Sequence, residues 1–236
     1  MLKELKIILN KNNINCSEEQ LEKFNIFYNL LIEWNKKINL TTITEEGEVI
    51  IKHFFDSLTP SLYFQFSNQK IIDIGAGAGF PSIPLKICYP DIEITLLDSL
   101  SKRVKFLEKI IEELKLDSIN LIHGRAEDIA HIQYYRQKYD VALSRAVARL
   151  NILSELSLPF IRTGGNMISL KGVNAKEEVD EAKKAIRLLG GELEEIKTFP
   201  LPNEQGIRNI IFVKKISDTP NIYPRKAGTP SKTPII

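Results

Sequence analysis

Residues 70–80 read Lys-Ile-Ile-Asp-Ile-Gly-Ala-Gly-Ala-Gly-Phe. One acid, Asp73, interrupts a short apolar run that passes directly into Gly75, Gly77 and Gly79, and an apolar segment with Pro81 and Pro84 near its start follows. Strand, glycine turn and helix, in that order, form the first crossover of a nucleotide-binding sheet. Glycines belong there because the chain turns sharply and a ligand must approach the backbone without meeting a Cβ. The dinucleotide fingerprint places glycines first, third and sixth; here the sixth position is Phe80 and the third glycine falls fifth. Asp73 would repel a pyrophosphate and attract an ammonium. Asp98 ends the next apolar run, about where an acid hydrogen-bonds a ribose hydroxyl. Ammonium, ribose and no phosphate describe S-adenosylmethionine better than NAD.

Two further strand ends carry chemistry. Gly124-Arg-Ala-Glu-Asp follows the third apolar run, and a loop there would receive an adenine on the backbone N–H of Ala126 or Glu127, with an acid for the exocyclic amine. Ser144-Arg145 closes the fourth run, and a strand end beside a ligand cleft is a poor place for an idle guanidinium. The three histidines, His53, His123 and His131, are scattered, and Cys16 and Cys88 lie far apart. The sequence therefore predicts neither a metal site nor a disulfide framework, and His53 with Asp56, one turn apart, reads as a structural pair.

The elements that must hold these groups follow from periodicity. Leu2, Leu5, Ile8 and Leu9 have helical spacing, and Ser17 with Gln20 is a capping-box signal before a long helix carrying Leu21, Phe24, Tyr28, Leu31, Trp34 and Ile38 on one face. That aromatic stripe reads as core. A loop at 39–44 and a helical stretch from Val49 to Leu62 complete an N-terminal helical region over 1–66. From 70 onward strands and helices alternate, with strands expected at 70–74, 92–97, 119–123, 139–144, 165–172, 192–199 and 208–215. Such alternation gives an α/β fold: a mainly parallel, Rossmann-like sheet over 67–215 with helices on both faces and an antiparallel edge from the last two strands.

Composition sets the outer bounds. The 236 residues carry a net charge of +2 with 43% hydrophobic and 26% charged residues, so any nucleic-acid surface must be local. No apolar run reaches the roughly 20 residues that span a bilayer, and the N-terminus lacks a signal-peptide core. A cytoplasmic chain without membrane contact is expected, acting as a monomer.

Taken together, Asp73-Ile-Gly-Ala-Gly-Ala-Gly-Phe-Pro, the Leu-Leu-Asp-Ser-Leu-Ser-Lys-Arg run at 96–103, Ser144-Arg-Ala and Leu170-Lys-Gly resemble the glucose-inhibited division protein B family of bacterial small-subunit ribosomal RNA guanine-N7 methyltransferases. Trp34-Asn-Lys-Lys-Ile-Asn-Leu-Thr, His53-Phe-Phe-Asp-Ser-Leu and Tyr223-Pro-Arg-Lys-Ala-Gly-Thr-Pro extend the resemblance over nearly the whole chain. Ser82 stands where the family often has glycine. The resemblance implies that the Rossmann-like sheet is of the class I methyltransferase type, with S-adenosylmethionine as methyl donor, cofactor contacts at Gly75, Phe80, Ala126, Glu127 and Arg145, and ribosomal RNA or a ribosomal subunit as partner. Asp73, Gly77, Gly79 and Asp98 join the cofactor set, and Lys171, Arg208, Arg225 and Lys226 are the candidate RNA contacts. Guanine N7 is a lone pair without a proton, so no catalytic acid or base is expected; a cation at Arg145 or Lys171 could touch guanine O6 or a phosphate and so position the target nucleotide. An NAD-dependent oxidoreductase on the same crossover is the alternative, weakened by Phe80 and by the lack of a Tyr-x-x-x-Lys pair. A ribosome-binding factor holding the cofactor only for structure is another. Residues 214–236, with Lys214, Lys215, Arg225, Lys226 and Lys232 and a Pro-rich tail over 216–236, read as an extended basic arm along RNA phosphates with Tyr223 able to stack on a base. Truncation after Ile216 is then expected to spare cofactor affinity.

Overall fold

The structure, a computed structural model, describes residues 1–236. Helix α1 (Leu2–Lys11) and helix α2 (Glu18–Ile38) precede the sheet. The capping box is formed: Ser17 Oγ accepts from the Gln20 amide, and Gln20 Oε1 accepts from the Ser17 amide. The Gln20 amide group also donates to the Ile87 carbonyl at 2.7 Å, which ties the start of α2 to the first crossover helix. Leu21, Phe24 and Leu31 of the expected stripe are buried, Tyr28, Trp34 and Ile38 are half-buried against the same core, and Phe27, outside the expected stripe, is buried with them. Phe27 stacks on Phe80 with centroids 5.1 Å apart, Phe24 meets Phe54 at 5.0 Å, and Trp34 packs on Phe106. After α3 (Glu46–Val49) the chain widens into a π-helical stretch, Ile50–Phe55, before α4 (Asp56–Leu58) and a 3-10 turn to Leu62. One apolar cluster runs from Leu5 through Phe54 to Ile71, Leu107 and Phe212, so the N-terminal helices share a core with the sheet.

Seven strands form one sheet in the order β3-β2-β1-β4-β5-β7-β6. They are β1 (Lys70–Ile74), β2 (Glu93–Asp98), β3 (Ile119–His123), β4 (Tyr139–Arg145), β5 (Ile161–Lys171), β6 (Gly191–Pro200) and β7 (Ile207–Lys215). Helices α5 (Ser82–Cys88), α6 (Ser101–Glu113), α7 (Ala126–Ile129), α8 (Leu150–Ser157) and α9 (Ala175–Leu188) fill the connections. β1 to β5 are parallel, while β7 inserts antiparallel between β5 and β6. Because β7 is reversed, its beginning lies at the carboxyl end of β5, with Asn209 opposite Lys171. This is how Arg208 reaches the edge where the parallel strands end.

Two expectations are corrected, for the 124–128 segment and the C-terminal segment, and one juxtaposition, of the two cysteines, is new. The 124–128 segment is not all loop, since Ala126–Ile129 closes into a helical turn. Cys16 and Cys88, distant in sequence, meet with sulfurs 2.9 Å apart as free thiols, because the α2 cap sits on the end of α5. The C-terminal segment is no free arm. Arg225 binds the buried Glu155 through its amide and guanidinium at 2.6–2.9 Å, Arg136 donates to the carbonyls of Thr219, Pro220 and Tyr223, and His131 meets the Pro224 carbonyl. Tyr223 and Ile235 pack against the second apolar cluster, and Thr229–Lys232 forms a short helix, α10. Proline and glycine exclude long helices, but the segment needs none, because its backbone groups are satisfied by side chains of the sheet domain. Lys215 is fully buried, with Nζ donating to the Leu189 carbonyl and Thr219 Oγ1, and offers nothing to RNA.

Candidate active site

Gly75, Gly77 and Gly79 all have positive φ, at +71°, +59° and +87°. The turn is braced from β2: the amides of Gly75 and Ala76 donate to the Leu97 carbonyl, and the Gly77 amide donates to Asp98 Oδ2 at 2.8 Å. Asp98 Oδ1 accepts from the Leu100 amide. Asp98 thus holds the glycine turn as well as facing the adjoining cavity. A Cβ on Gly79 would lie 2.7 Å from Ile83, whereas one on Gly77 would meet nothing nearer than the Gly75 carbonyl at 3.7 Å. Gly79 is there for packing; Gly77 keeps the open side of the turn clear.

Asp73 is fully buried, and neither carboxylate oxygen makes a hydrogen bond of good geometry. Burial pushes its carboxyl up to about 7; the Ser82 hydroxyl and amide and the Arg145 charge pull it the other way without the Ser82 groups being aligned to bond. A buried polar atom without a partner costs about 1–3 kcal/mol, and more when charged. An orphaned carboxyl at the strand end, beside a glycine cradle, fits a cofactor that brings an ammonium.

Arg145, at the end of β4, is the hub of a buried cluster. Its guanidinium donates to the Lys52 carbonyl at 2.9 Å, to Asp56 Oδ2 at 3.1 Å and to His53 Nδ1 at 3.1 Å, and lies 4.8 Å from the Phe80 ring centroid. Asp56 Oδ1 accepts from Arg208 Nε at 3.0 Å. The expected His53–Asp56 pair is therefore bridged by Arg145, with the π-helical stretch presenting the Lys52 carbonyl and His53, and Asp56 opening α4 directly after it. Burial, reinforced by the Arg145 charge, lowers His53 to about 3 and keeps it neutral. Arginine is an obligate donor, so Nδ1 accepts and the Nε2 proton goes to Thr41 Oγ1 at 2.8 Å. Phe80 is the floor of this cluster, stacked on His53 at 4.5 Å, with its ring turned into the core.

Three cavities run along the carboxyl edge. One of about 490 Å³ lies between Gly75, Asp98, Ala126, Glu127 and Ser231. A second, of about 550 Å³, is bounded by the 39–43 loop, Gly75–Ala78, Phe80 and Arg145. The third, of about 510 Å³, gathers Lys52, Arg145, Arg149, Lys171 and Arg208 against only Asp56 and Glu178. Ala146 lines all three and has φ +56°, a strained backbone for a residue with a Cβ. Lys171 is held by Glu178 at 2.7 Å and by the Ala148 carbonyl. Of the candidate RNA contacts, Lys171 and Arg208 line the third cavity, whereas Arg225 is committed to Glu155 and Lys226 is exposed on the C-terminal segment. His53, Asp56, Lys52, Arg149 and Ala146 were not among the candidate site residues; the His53-Phe-Phe-Asp and Ser144-Arg-Ala motifs were the signal for His53, Asp56 and Ala146, and no motif marked Lys52 or Arg149.

The family model described as rRNA small subunit methyltransferase G matches residues 20–210. "Ribosomal RNA small subunit methyltransferase G" of Brevibacillus brevis is 52% identical over 230 residues, covering 97% of each chain. The protein of the same name from Bacillus subtilis is 50% identical over 228 residues, covering 96% of this chain and 95% of its own. The chain belongs to the rRNA small subunit methyltransferase G family. Like that family, it is an S-adenosylmethionine-dependent methyltransferase. Among solved structures, M. jannaschii TYW2 in complex with AdoMet shares the fold with a TM-score of 0.55 at 15% identity, over 69% of this chain and 76% of that one. A predicted O-methyltransferase from Agrobacterium tumefaciens does so with a TM-score of 0.55 at 18% identity, over 69% and 81%. No group of three or more His, Cys, Asp or Glu side chains is placed to hold a metal ion, and no helix is long and apolar enough to cross a membrane.

Proposed function

We propose that this methyltransferase acts on N7 of a guanine in small-subunit ribosomal RNA. The cofactor occupies the two cavities on either side of Gly75, and the target nucleotide enters the cationic one. The observation that carries this reading is the Arg145–Ala146 strand end: Arg145 belongs to both the glycine-turn cavity and the cationic cavity. In this reading Asp73 and the Gly75–Gly79 turn receive the amino-acid end, Asp98 the ribose, and Ala126 with Glu127 the adenine. Bound there, the cofactor supplies an electrophilic methyl group. Everything else falls to positioning: N7 must lie in line with the methyl carbon at ~3–3.5 Å with water excluded.

The groups at the junction favour a reaction that needs no proton removed. Both His53 nitrogens are committed, to Arg145 and Thr41, and both Asp56 oxygens are held by arginines. Guanine N7 already presents its lone pair. Five cations against two carboxylates give the third cavity the sign that phosphates and guanine O6 require. In this reading the chain works as a monomer on ribosomal RNA or ribosomal subunits in the cytoplasm. The oxidoreductase alternative has no support in the family match, and a purely structural cofactor leaves the open Arg145 junction without a use. The test is ribosomal RNA from a strain lacking this gene. One borohydride/aniline cleavage should disappear and return with the wild-type gene; unchanged cleavage would refute N7 methylation.

A further inference from the structure

The C-terminal segment ends at the cofactor cavity. The Gly228 amide donates to Glu127 Oε1 at 2.9 Å, and Ser231, in α10, lines the 490 Å³ cavity opposite Gly75 and Asp98. The segment is fastened on the way there. Arg225 saturates Glu155, which is 1% exposed on α8, next to the cavity residue Leu156. His131, two residues beyond α7, holds the Pro224 carbonyl, and Arg136 holds three carbonyls between Thr219 and Tyr223. Gly228 has φ +82° with no atom within 4 Å of a would-be Cβ, so it is set by backbone direction, and that direction delivers the N–H to Glu127.

We propose that residues 223–232 are a wall of the cofactor site and that Gly228 is a positioning residue that sets adenine specificity through Glu127. A free carboxylate side chain on the short α7 turn could rotate among several orientations. With Oε1 held by the Gly228 amide, Oε2 keeps its lone pairs for a donor, and the adenine exocyclic amine is a donor where a hypoxanthine carbonyl is not. The arrangement therefore selects adenosine over inosine. This deepens the proposed function and rests on its placement of adenine beside Ala126 and Glu127.

The experiment uses titration calorimetry with S-adenosylhomocysteine and S-inosylhomocysteine. The full chain should prefer the adenosine ligand by about tenfold or more, the size of one hydrogen bond to a charged group. A chain ending at Lys226 keeps the Arg225, Arg136 and His131 fastenings. It should lose most of that preference, while its salt dependence of RNA binding stays that of the full chain. Glu127→Ala should erase the preference too, and combining it with the truncation should add nothing further, the non-additivity of two groups acting as one unit. In full-length protein, Ser231→Trp should weaken both ligands by obstructing the cavity. A truncated chain that retains full affinity and full preference overturns the proposal. So does one whose main loss is in the salt slope, which would make the segment an RNA arm. Failure of the full chain to distinguish the two ligands would instead overturn the placement of adenine at Glu127.

Discussion

Arg145 holds its neighbours electrostatically as much as sterically. His53 is neutral because it is buried and because the guanidinium stands against Nδ1. Arg145→Met removes the charge and leaves the burial, which is the larger cause, so the imidazole should titrate above its present value of about 3 and still below its ordinary range, readable by NMR on the ring protons. Asp56 keeps Arg208 in that variant, so the fold should persist while turnover falls by more than RNA affinity does. An imidazole that still does not titrate above pH 4 would show that desolvation alone sets its state. Asp73 works in the opposite direction. Its folded value, about 7, lies above its ordinary value of about 3.9, so the native state binds the proton more tightly than the unfolded chain. That contribution is complete below pH 4 and is lost as the pH rises through 7. Asp73→Asn should therefore gain melting temperature over wild type between pH 5 and pH 8, and S-adenosylhomocysteine should stabilise wild type more than the variant at pH 8, where a carboxylate can pair with the ammonium. A temperature difference independent of pH would mean Asp73 is ionised throughout. Gly77→Val tests the cradle. Its Cβ has space in the protein, so the left-handed backbone costs about 1–2 kcal/mol, but the side chain fills the ligand's side of the turn. Cofactor affinity should collapse with only a few degrees lost in melting; wild-type affinity would place the cofactor elsewhere.

Elements, not residues, decide which of these groups meet. The glycine turn, the strand ends at Asp98 and Arg145, and the parallel core were legible because short apolar runs ending in polar residues at regular intervals admit almost no other fold. The π-helical stretch at Ile50–Phe55 was not, since apolar spacing is nearly the same in an α-helix and a π-turn over six residues. Nor was the Arg208–Asp56 contact, which joins residues 152 apart and depends on β7 inserting backwards beside β5. The C-terminal segment was misread because its own composition is poor in apolar residues. What holds it are partners elsewhere, Glu155, Arg136 and His131, which a local reading cannot pair with it. The two cysteines were likewise unreadable as neighbours. Cys16 precedes α2, Cys88 ends α5, and the hydrogen bond between them lowers Cys16 and raises Cys88. The half-exposed Cys16 is then the nucleophile. Oxidised glutathione should form a mixed disulfide at Cys16 that Cys88 resolves, releasing glutathione and joining the two helices. Mass spectrometry of a non-reduced digest should find the Cys16–Cys88 peptide. A stable glutathione adduct on Cys16 with no crosslink would show that the pair is held apart in solution.

The whole molecule has a net charge of only +2, yet one cavity at the carboxyl edge of the sheet is lined by five cations and two carboxylates. Cations there fall into two kinds. Arg145, Arg208 and Lys171 are tied to Asp56 and Glu178 in buried or half-buried pairs, so their orientation is fixed before any RNA arrives. Arg149 is 57% exposed, and its ion pair with Glu181 is one that solvent screens. The two kinds should separate in binding experiments with small-subunit RNA. Each phosphate contact adds ~0.7–0.9 to the slope of log K against log salt. Arg149→Ala should lower that slope by about one contact at little cost in stability or cofactor affinity. Arg208→Ala removes one of the two arginines on Asp56 and reorients the target nucleotide, so it should cost turnover beyond its share of the slope. The outcome that would defeat this division is the reverse pattern, with Arg149→Ala losing turnover at constant slope and Arg208→Ala losing only slope. Arg225→Ala, despite deleting a cation, should leave the slope unchanged and lower the melting temperature, because the charge it removes is the partner of a buried glutamate.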